Sequence, residues 1–443
     1  MPRSLIHRTT CAAAALAALL CSTAASAALD AQEQAMAEWI DLHSEDAIDL
    51  LEGLVNIGSG TMNSDGVRRV GKVLRAELMT LGMDTEWIEL PVKMRRAGHL
   101  VGRTSGSRGN RILLIGHLDT VFEASDEFQA YWRDGNVATG PGIADMKSGD
   151  VIMVYALKAL QHIGALDDAQ VIAFYTGDEE KPGRPLEITR KHLIDAGKWA
   201  DVALGFEGAV RHDGQDWATI ARRSSTEWRL EVSGRQAHSS RVFSEDVGAG
   251  AIYEAARIVA AFYDEVRGEE YLTFNVGAFV GGTDVKYDFA TNAGTAFGKT
   301  NVVPRKAVVH GGLRTISLEQ RARAKAAMTA VVEQHLPHTE ASITFSDGYP
   351  PMPPTVGNIR LQLQLSSINE DLGRGEMPIL DPAMRGAADI AFVAPYADSL
   401  AGLGANGKGA HSPNESLELD SMAVAIKRAA ILIYRLSNTP SGQ

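Results

Sequence analysis

Apolar positions along this chain follow two rhythms. Short uninterrupted runs at residues 112–115, 171–175 and 202–206 alternate with helix-like stretches such as 151–163. Runs without polar alternation suit strands covered on both faces, so the alternation predicts a largely parallel sheet with helices on each side. Upstream, residues 32–56 and 65–82 carry the spacing of amphipathic helices. The texture changes near Ser224. Residues 228–232 alternate apolar with charged, as a half-exposed strand does. A helical pattern at 248–263 follows, then strand-like segments at 272–280, 301–303 and 308–313 and a helix at 318–335. The sheet texture resumes near Ala341 and closes with a helix over 421–436. The expected fold class is therefore α/β. A discontinuous main domain, residues 29–223 and 339–443, is interrupted by a smaller α+β domain at 224–338.

The first 28 residues stand apart. Arg3 and Arg8 open them, residues 12–20 are apolar, and Ala25-Ser26-Ala27 has the small side chains of a cleavage site. That pattern predicts a signal peptide and an exported protein, periplasmic or secreted. Both cysteines, Cys11 and Cys21, fall inside it, so the mature chain would have neither disulfides nor thiolate chemistry. Cleavage would leave 41 basic against 55 acidic residues, net −14. An acidic chain without a basic cluster argues against a nucleic-acid partner. No later apolar stretch approaches the roughly 20 residues of a spanning helix, so no membrane segment is expected after cleavage.

The polar residues that end the apolar runs carry the chemistry. His117 and Asp119 follow the first run, in Gly116-His117-Leu118-Asp119-Thr120. Asp145 follows Gly140-Pro141-Gly142, Glu179 and Glu180 follow the run at 171–175, and Glu207 follows that at 202–206. His411 sits in Gly409-Ala410-His411-Ser412-Pro413. Imidazole and carboxylate donors gathered at strand ends and glycine turns form the ligand set of a divalent metal. Glu179 and Glu180 are adjacent and diverge, so one can ligate while the other faces an attacking water. Asp119 could orient His117 through its second ring nitrogen. His238, in Gly234-Arg235-Gln236-Ala237-His238, reads either as a polar turn residue or as a group that polarises a carbonyl. Arg314, after the run at 308–313, could cap a strand or clamp a carboxylate. There is no H-E-x-x-H and no G-x-S-x-G. Residues 402–407 match G-x-G-x-x-G only formally, because they open no βαβ unit.

Taken together, Gly-His-Leu-Asp-Thr-Val, Gly-Pro-Gly-Ile-Ala-Asp-Met-Lys-Ser-Gly, Thr-Gly-Asp-Glu-Glu, Phe-Glu-Gly and the late Ala-His-Ser resemble the di-zinc metallopeptidases. That family includes glutamate carboxypeptidase, aminoacylase and succinyl-diaminopimelate desuccinylase, and the glutamate carboxypeptidase type is the most similar. The resemblance implies a zinc-exopeptidase fold with two Zn2+ per subunit, a role that Co2+ or Mn2+ could also fill. His117, Asp145 and Glu207 would hold one ion, with Asp145 bridging to a second completed by Glu180 and His411. Glu179 matches the general base and Asp119 the orienting carboxylate. The inserted domain matches a lid and dimerisation domain, which implies a homodimer. In it His238 matches a residue that reaches a neighbouring subunit's site to stabilise the oxyanion. Asn301 and Arg314 match residues that hold the substrate near its C-terminal carboxylate. Glu207, rather than Asp, tilts the expected substrates toward N-acyl amino acids or peptides cut at their C-terminus. Asp347-Gly348-Tyr349-Pro350 stands where glutamate-specific members resemble Arg-Gly-Arg-Pro, which removes the basic residues that glutamate preference uses.

The expected function is thus hydrolysis of an amide beside a free carboxylate. An aminopeptidase or dipeptidase on the same fold, and a silent metal-retaining peptide-binding protein, are the alternatives. Free and amidated C-termini separate the first from the carboxypeptidase reading, and turnover separates the second.

Overall fold

The computed structural model describes residues 29–440, and the expected signal peptide lies outside them. Asp30 opens helix α1 (Ala31–Leu42) with a capping box in which its carboxylate accepts from the Glu33 N–H and Glu33 answers to the Asp30 N–H. The expected helix over 32–56 is two helices. The His43 ring meets the Trp39 carbonyl at 2.8 Å and ends α1, and α2 (Ser44–Val55) begins beyond it. After α3 (Ser64–Thr80) come strands β1 (Asp84–Ile88), β2 (His99–Arg103) and β3 (Arg108–His117). Helix α4 (Ser148–His162), β4 (Ala169–Thr176) and β5 (Val202–Gly205) follow. The inserted unit then contributes β6 (Thr226–Gly234), α5 (Ala251–Ala261), β7 (Thr273–Gly282), β8 (Lys306–Arg314), α6 (Leu318–Val332) and β9 (Thr339–Asp347). Strand β10 (Asp398–Leu400) and helix α7 (Asp420–Ser437) return to the first unit.

The main sheet runs β1-β2-β4-β3-β5-β10. The pairings β3/β4, β3/β5 and β5/β10 are parallel, while β1 and β2 form an antiparallel edge. Side chains alternate across it as the pleat requires. Ile112 and Leu114 point into a core shared with α1–α4 and α7, whereas Leu113 and Ile115 point into one with Ile172, Phe174, Leu193 and Val393. Both faces are covered, which is why β3 and β4 read as unbroken apolar runs.

The second sheet is antiparallel in the order β7-β8-β6-β9 and closes its own core around Trp228, Leu230, Ala255, Ile258 and Met328. Here the structure differs from the expected return to the main domain at residue 339. Strand β9 pairs with β6 from Gly234↔Thr339 to Thr226↔Asp347, so the chain leaves the inserted sheet after Asp347. Its half-exposed alternation suits an edge strand over one core. A hairpin of Asp284–Asp288 and Ala293–Phe297, unread in the sequence, projects from the same unit.

Candidate metal centre

Three neighbouring parallel strands deliver the site. His117 ends β3, Glu179 and Glu180 follow β4, and Glu207 follows β5, so all four emerge at one edge, where open α/β sheets gather ligands. Asp145 joins them from the turn before α4, and Gly142 makes that turn passable. Gly142 has φ 71°, and a Cβ there would lie 2.2 Å from a Thr120 methyl. His411 arrives on a loop of its own, in a left-handed conformation at φ 64° that is uncommon for a residue with a Cβ.

Asp145 stands between the two imidazoles. His117 Nε2 lies 3.2 Å from Asp145 Oδ1, and His411 Nε2 lies 3.2 Å from both Asp145 Oδ2 and Glu180 Oε2. One oxygen toward each histidine is the disposition a bridging carboxylate needs. Donor atoms of His117, Asp145 and Glu180 all lie within 4.8 Å of one another. Glu180 Oε1 is buried with no hydrogen-bond partner. The charges there are poised for a cation. Burial pushes Glu180 up to about 7 against the pull of His411. Hydrogen bonds to Asp145 and Glu180 raise His411 to about 10, and Asp145, though buried, is held far below the usual carboxylate range by His117 and His411. A divalent ion would displace those protons and satisfy the orphaned oxygen, so the residues fit a metal.

Glu207 reaches the same hollow as Asp145 and His411 but gives its carboxylate to Arg222, with Arg385 at 3.9 Å. It is brought alongside the donors without joining their contacts. Asp119 contacts the second ring nitrogen of His117, mainly through its backbone. His117 Nδ1 meets the Asp119 main-chain carbonyl at 2.9 Å, closer than the carboxylate at 3.5 Å. The carboxylate also accepts from the Glu179 N–H at 2.9 Å, the Glu180 N–H at 3.1 Å and Thr61 Oγ1 at 2.6 Å. It therefore fixes the turn that carries both glutamates. Burial, with Asp389, Glu207 and Glu180 nearby, holds the Glu179 carboxyl well above its ordinary range, although His117 opposes this.

Residues 113–435 match peptidase family M20/M25/M40, most of the chain. The chain belongs to that family. Carboxypeptidase G2 of Pseudomonas sp. (strain RS-16) is 25% identical over 446 residues, covering 98% of this chain and 99% of that one. The aminopeptidase PepT of Bacillus cereus superposes with a TM-score of 0.66 at 16% identity, over 89% of this chain and 98% of its own. The YXEP protein of Bacillus subtilis, described as a dinuclear metal binding peptidase, gives a TM-score of 0.61 at 14% identity over 90% and 99%. The last two show the shared fold. As a member of this metallopeptidase family the protein is a hydrolase, and His117, Asp145 and Glu180 form a group that could hold a metal ion.

In the peptidase, the remaining expected residues lie on the inserted unit. His238 is exposed, its Nδ1 2.8 Å from Ser240 Oγ. Asn301 lies beside it, accepting from the Ser239 N–H at 2.9 Å while Val302 bridges His238. Among the described residues no contact links either one to the metal donors. Arg314 closes β8 and donates to the Ser224 carbonyl at 3.2 Å, where the chain enters the inserted sheet.

Several supporting residues escaped the sequence reading. Glu415 is fully buried and accepts from the Ala144 N–H at 2.8 Å, the Asp145 N–H at 2.9 Å and the Gly142 N–H at 3.2 Å, tying the Asp145 turn to the His411 loop. Arg190, also buried, pairs with Asp178 at 2.6 Å and Asp389 at 2.7 Å and donates to Tyr349 Oη at 3.0 Å. Tyr349 in turn donates to the Glu179 carbonyl at 2.6 Å. Tyr349, from the Asp347-Gly348-Tyr349-Pro350 stretch, thus steadies the Glu179 turn. The local cue for Glu415 was its place four residues beyond His411. Nothing local marked Arg190.

Proposed function

We propose that this peptidase is an exported two-zinc exopeptidase that hydrolyses an amide beside a free carboxylate, in C-terminally cleaved peptides or N-acyl amino acids. The observation that carries the reading is Asp145 flanked by His117 and His411, with Glu180 alongside and Glu179 on the same turn. Full-length similarity to carboxypeptidase G2 supports the carboxypeptidase side. His117 and Glu207 would complete one ion with Asp145, and Glu180 and His411 the other. Turning Glu207 to its ion would loosen its pairing with Arg222. Zinc, when bound, supplies Lewis acidity toward the carbonyl and lowers the pKa of water.

The protein's own residues do the rest. Glu179, held through its N–H by Asp119 and through its carbonyl by Tyr349, takes a proton from the attacking water and returns it to the leaving amine. Asp119 also orients His117 through its main-chain carbonyl. Arg314 and Asn301 receive the substrate carboxylate. His238 of one subunit steadies the oxyanion in the other's site, which requires the homodimer. Export rests on the pattern of residues 1–28.

Zinc-loaded protein is expected to hydrolyse N-acyl amino acids. The Glu179→Gln variant should bind both metals and lose on the order of 10²- to 10⁴-fold in kcat, checked by turnover and metal analysis on one preparation. A variant with full metal content and near-full activity contradicts the assigned base.

A further inference from the structure

Beside Asp145 and His411 lies a hollow of about 360 Å³. Two guanidinium groups, Arg222 and Arg385, face it, and both have a buried Nε without a hydrogen-bond partner. Arg222 is otherwise engaged. It pairs with Glu207 and donates to the Ala387 carbonyl at 3.0 Å, which ties down the loop that carries Arg385. Arg385 has no such employment among the described residues. Its single ion-pair contact is the 3.9 Å approach to Glu207, whose charge Arg222 already answers, and its side chain is only 15% exposed. Burial and the neighbouring Arg222 lower its pKa to about 10, which still leaves it charged at neutral pH.

The local charge count leaves a cation in surplus. Glu207 balances one guanidinium, not two. When Glu207 and Asp145 serve a divalent ion, neither arginine keeps a full counter-charge. A buried, unpaired guanidinium is costly, and its fork is shaped for a carboxylate. A purely structural arginine would show hydrogen bonds to carbonyls, as Arg222 does.

We propose that Arg385, backed by Arg222, forms an anion subsite beside the metal centre, and that the preferred substrates carry a second carboxylate besides the one adjoining the scissile amide. The proposal deepens the amidohydrolase reading and rests on it. The second carboxylate could come from an acidic side chain or from a dicarboxylic acyl group.

The test compares N-acetyl-alanine, N-acetyl-glutamate and N-succinyl-alanine as substrates of the zinc-loaded protein and of Arg385→Met. One diacid is expected to exceed N-acetyl-alanine in kcat/KM by on the order of 10- to 100-fold. Arg385→Met should erase that preference mainly through KM, and Arg385→Lys should keep part of it. Preference for the glutamate compound places the subsite at the amino-acid side chain, and preference for the succinyl compound places it on the acyl side. Equal turnover of all three, or an equal loss on all three in Arg385→Met, overturns the subsite and leaves the amidohydrolase reading standing. If none is cleaved, the N-acyl amino acid part of that reading falls, and succinate binding by calorimetry decides the subsite. Binding at least 10-fold tighter to the unmodified protein than to Arg385→Met supports it, and equal binding overturns it.

Discussion

Asp119 shows how much one buried carboxylate can organise. Its two oxygens accept three hydrogen bonds, two of them from the N–H groups of Glu179 and Glu180, and its carbonyl aligns the His117 ring. His99 is a second residue with a single calculable consequence. It is fully buried, accepts from the Gly177 N–H at 3.2 Å and meets the Thr189 carbonyl at 2.9 Å, an arrangement that uses the neutral ring. Burial, with Arg190 nearby, lowers its pKa to about 4. Above pH 6.5 the ring is neutral in both folded and unfolded chains. As pH falls from 6.5 toward 4, only the unfolded chain takes up the proton, so stability is lost, by up to about 3 kcal/mol. His99→Gln, whose amide can make the same two bonds, should show a shallower decline in denaturant stability over that window. Identical pH slopes would contradict this. The candidate donors His117, Asp145 and Glu180 were legible because each follows an apolar run or glycine turn. Arg190 and Arg385 were not, since Asp389 and Tyr349 meet Arg190 from far along the chain and the hollow that Arg385 faces has no local pattern in the sequence.

At the scale of elements, the site is a set of turns held by distant groups. Parallel strands β3, β4 and β5 were readable as apolar runs because both of their faces are covered. Strand β9 was assigned to the wrong sheet because half-exposed alternation fixes a strand's environment but not its partner. The link between the Asp145 turn and the His411 loop was invisible, since Glu415 bonds to main-chain groups about 270 residues away. Removing that carboxylate leaves three N–H groups of the turn without their acceptor. Glu415→Ala is therefore expected to weaken metal binding by roughly 10- to 100-fold while circular dichroism stays native. Titration with Co2+, read from its visible absorption, measures this. An unchanged affinity would show that the two loops hold their places without Glu415.

For the whole molecule, strand ends and turns of the main unit supply the candidate donors, and the inserted unit carries His238 and Asn301 exposed in loops beside its central strands β6 and β8, with no contact to those donors among the described residues. The proposed homodimer would bring His238 to the other subunit's donors. Sedimentation is expected to give a dimer, and His238→Ala should lower kcat without altering the sedimentation coefficient, whereas a fully active monomer would contradict both. The central claim, hydrolysis of an amide beside a free carboxylate, is tested most directly with paired substrates. Peptides and N-acyl amino acids, each with a free and an amidated C-terminus, are offered to the zinc-loaded protein. The account predicts cleavage of the free acids alone. Equal cleavage of the amides would contradict it and move the protein to the aminopeptidase side of its family.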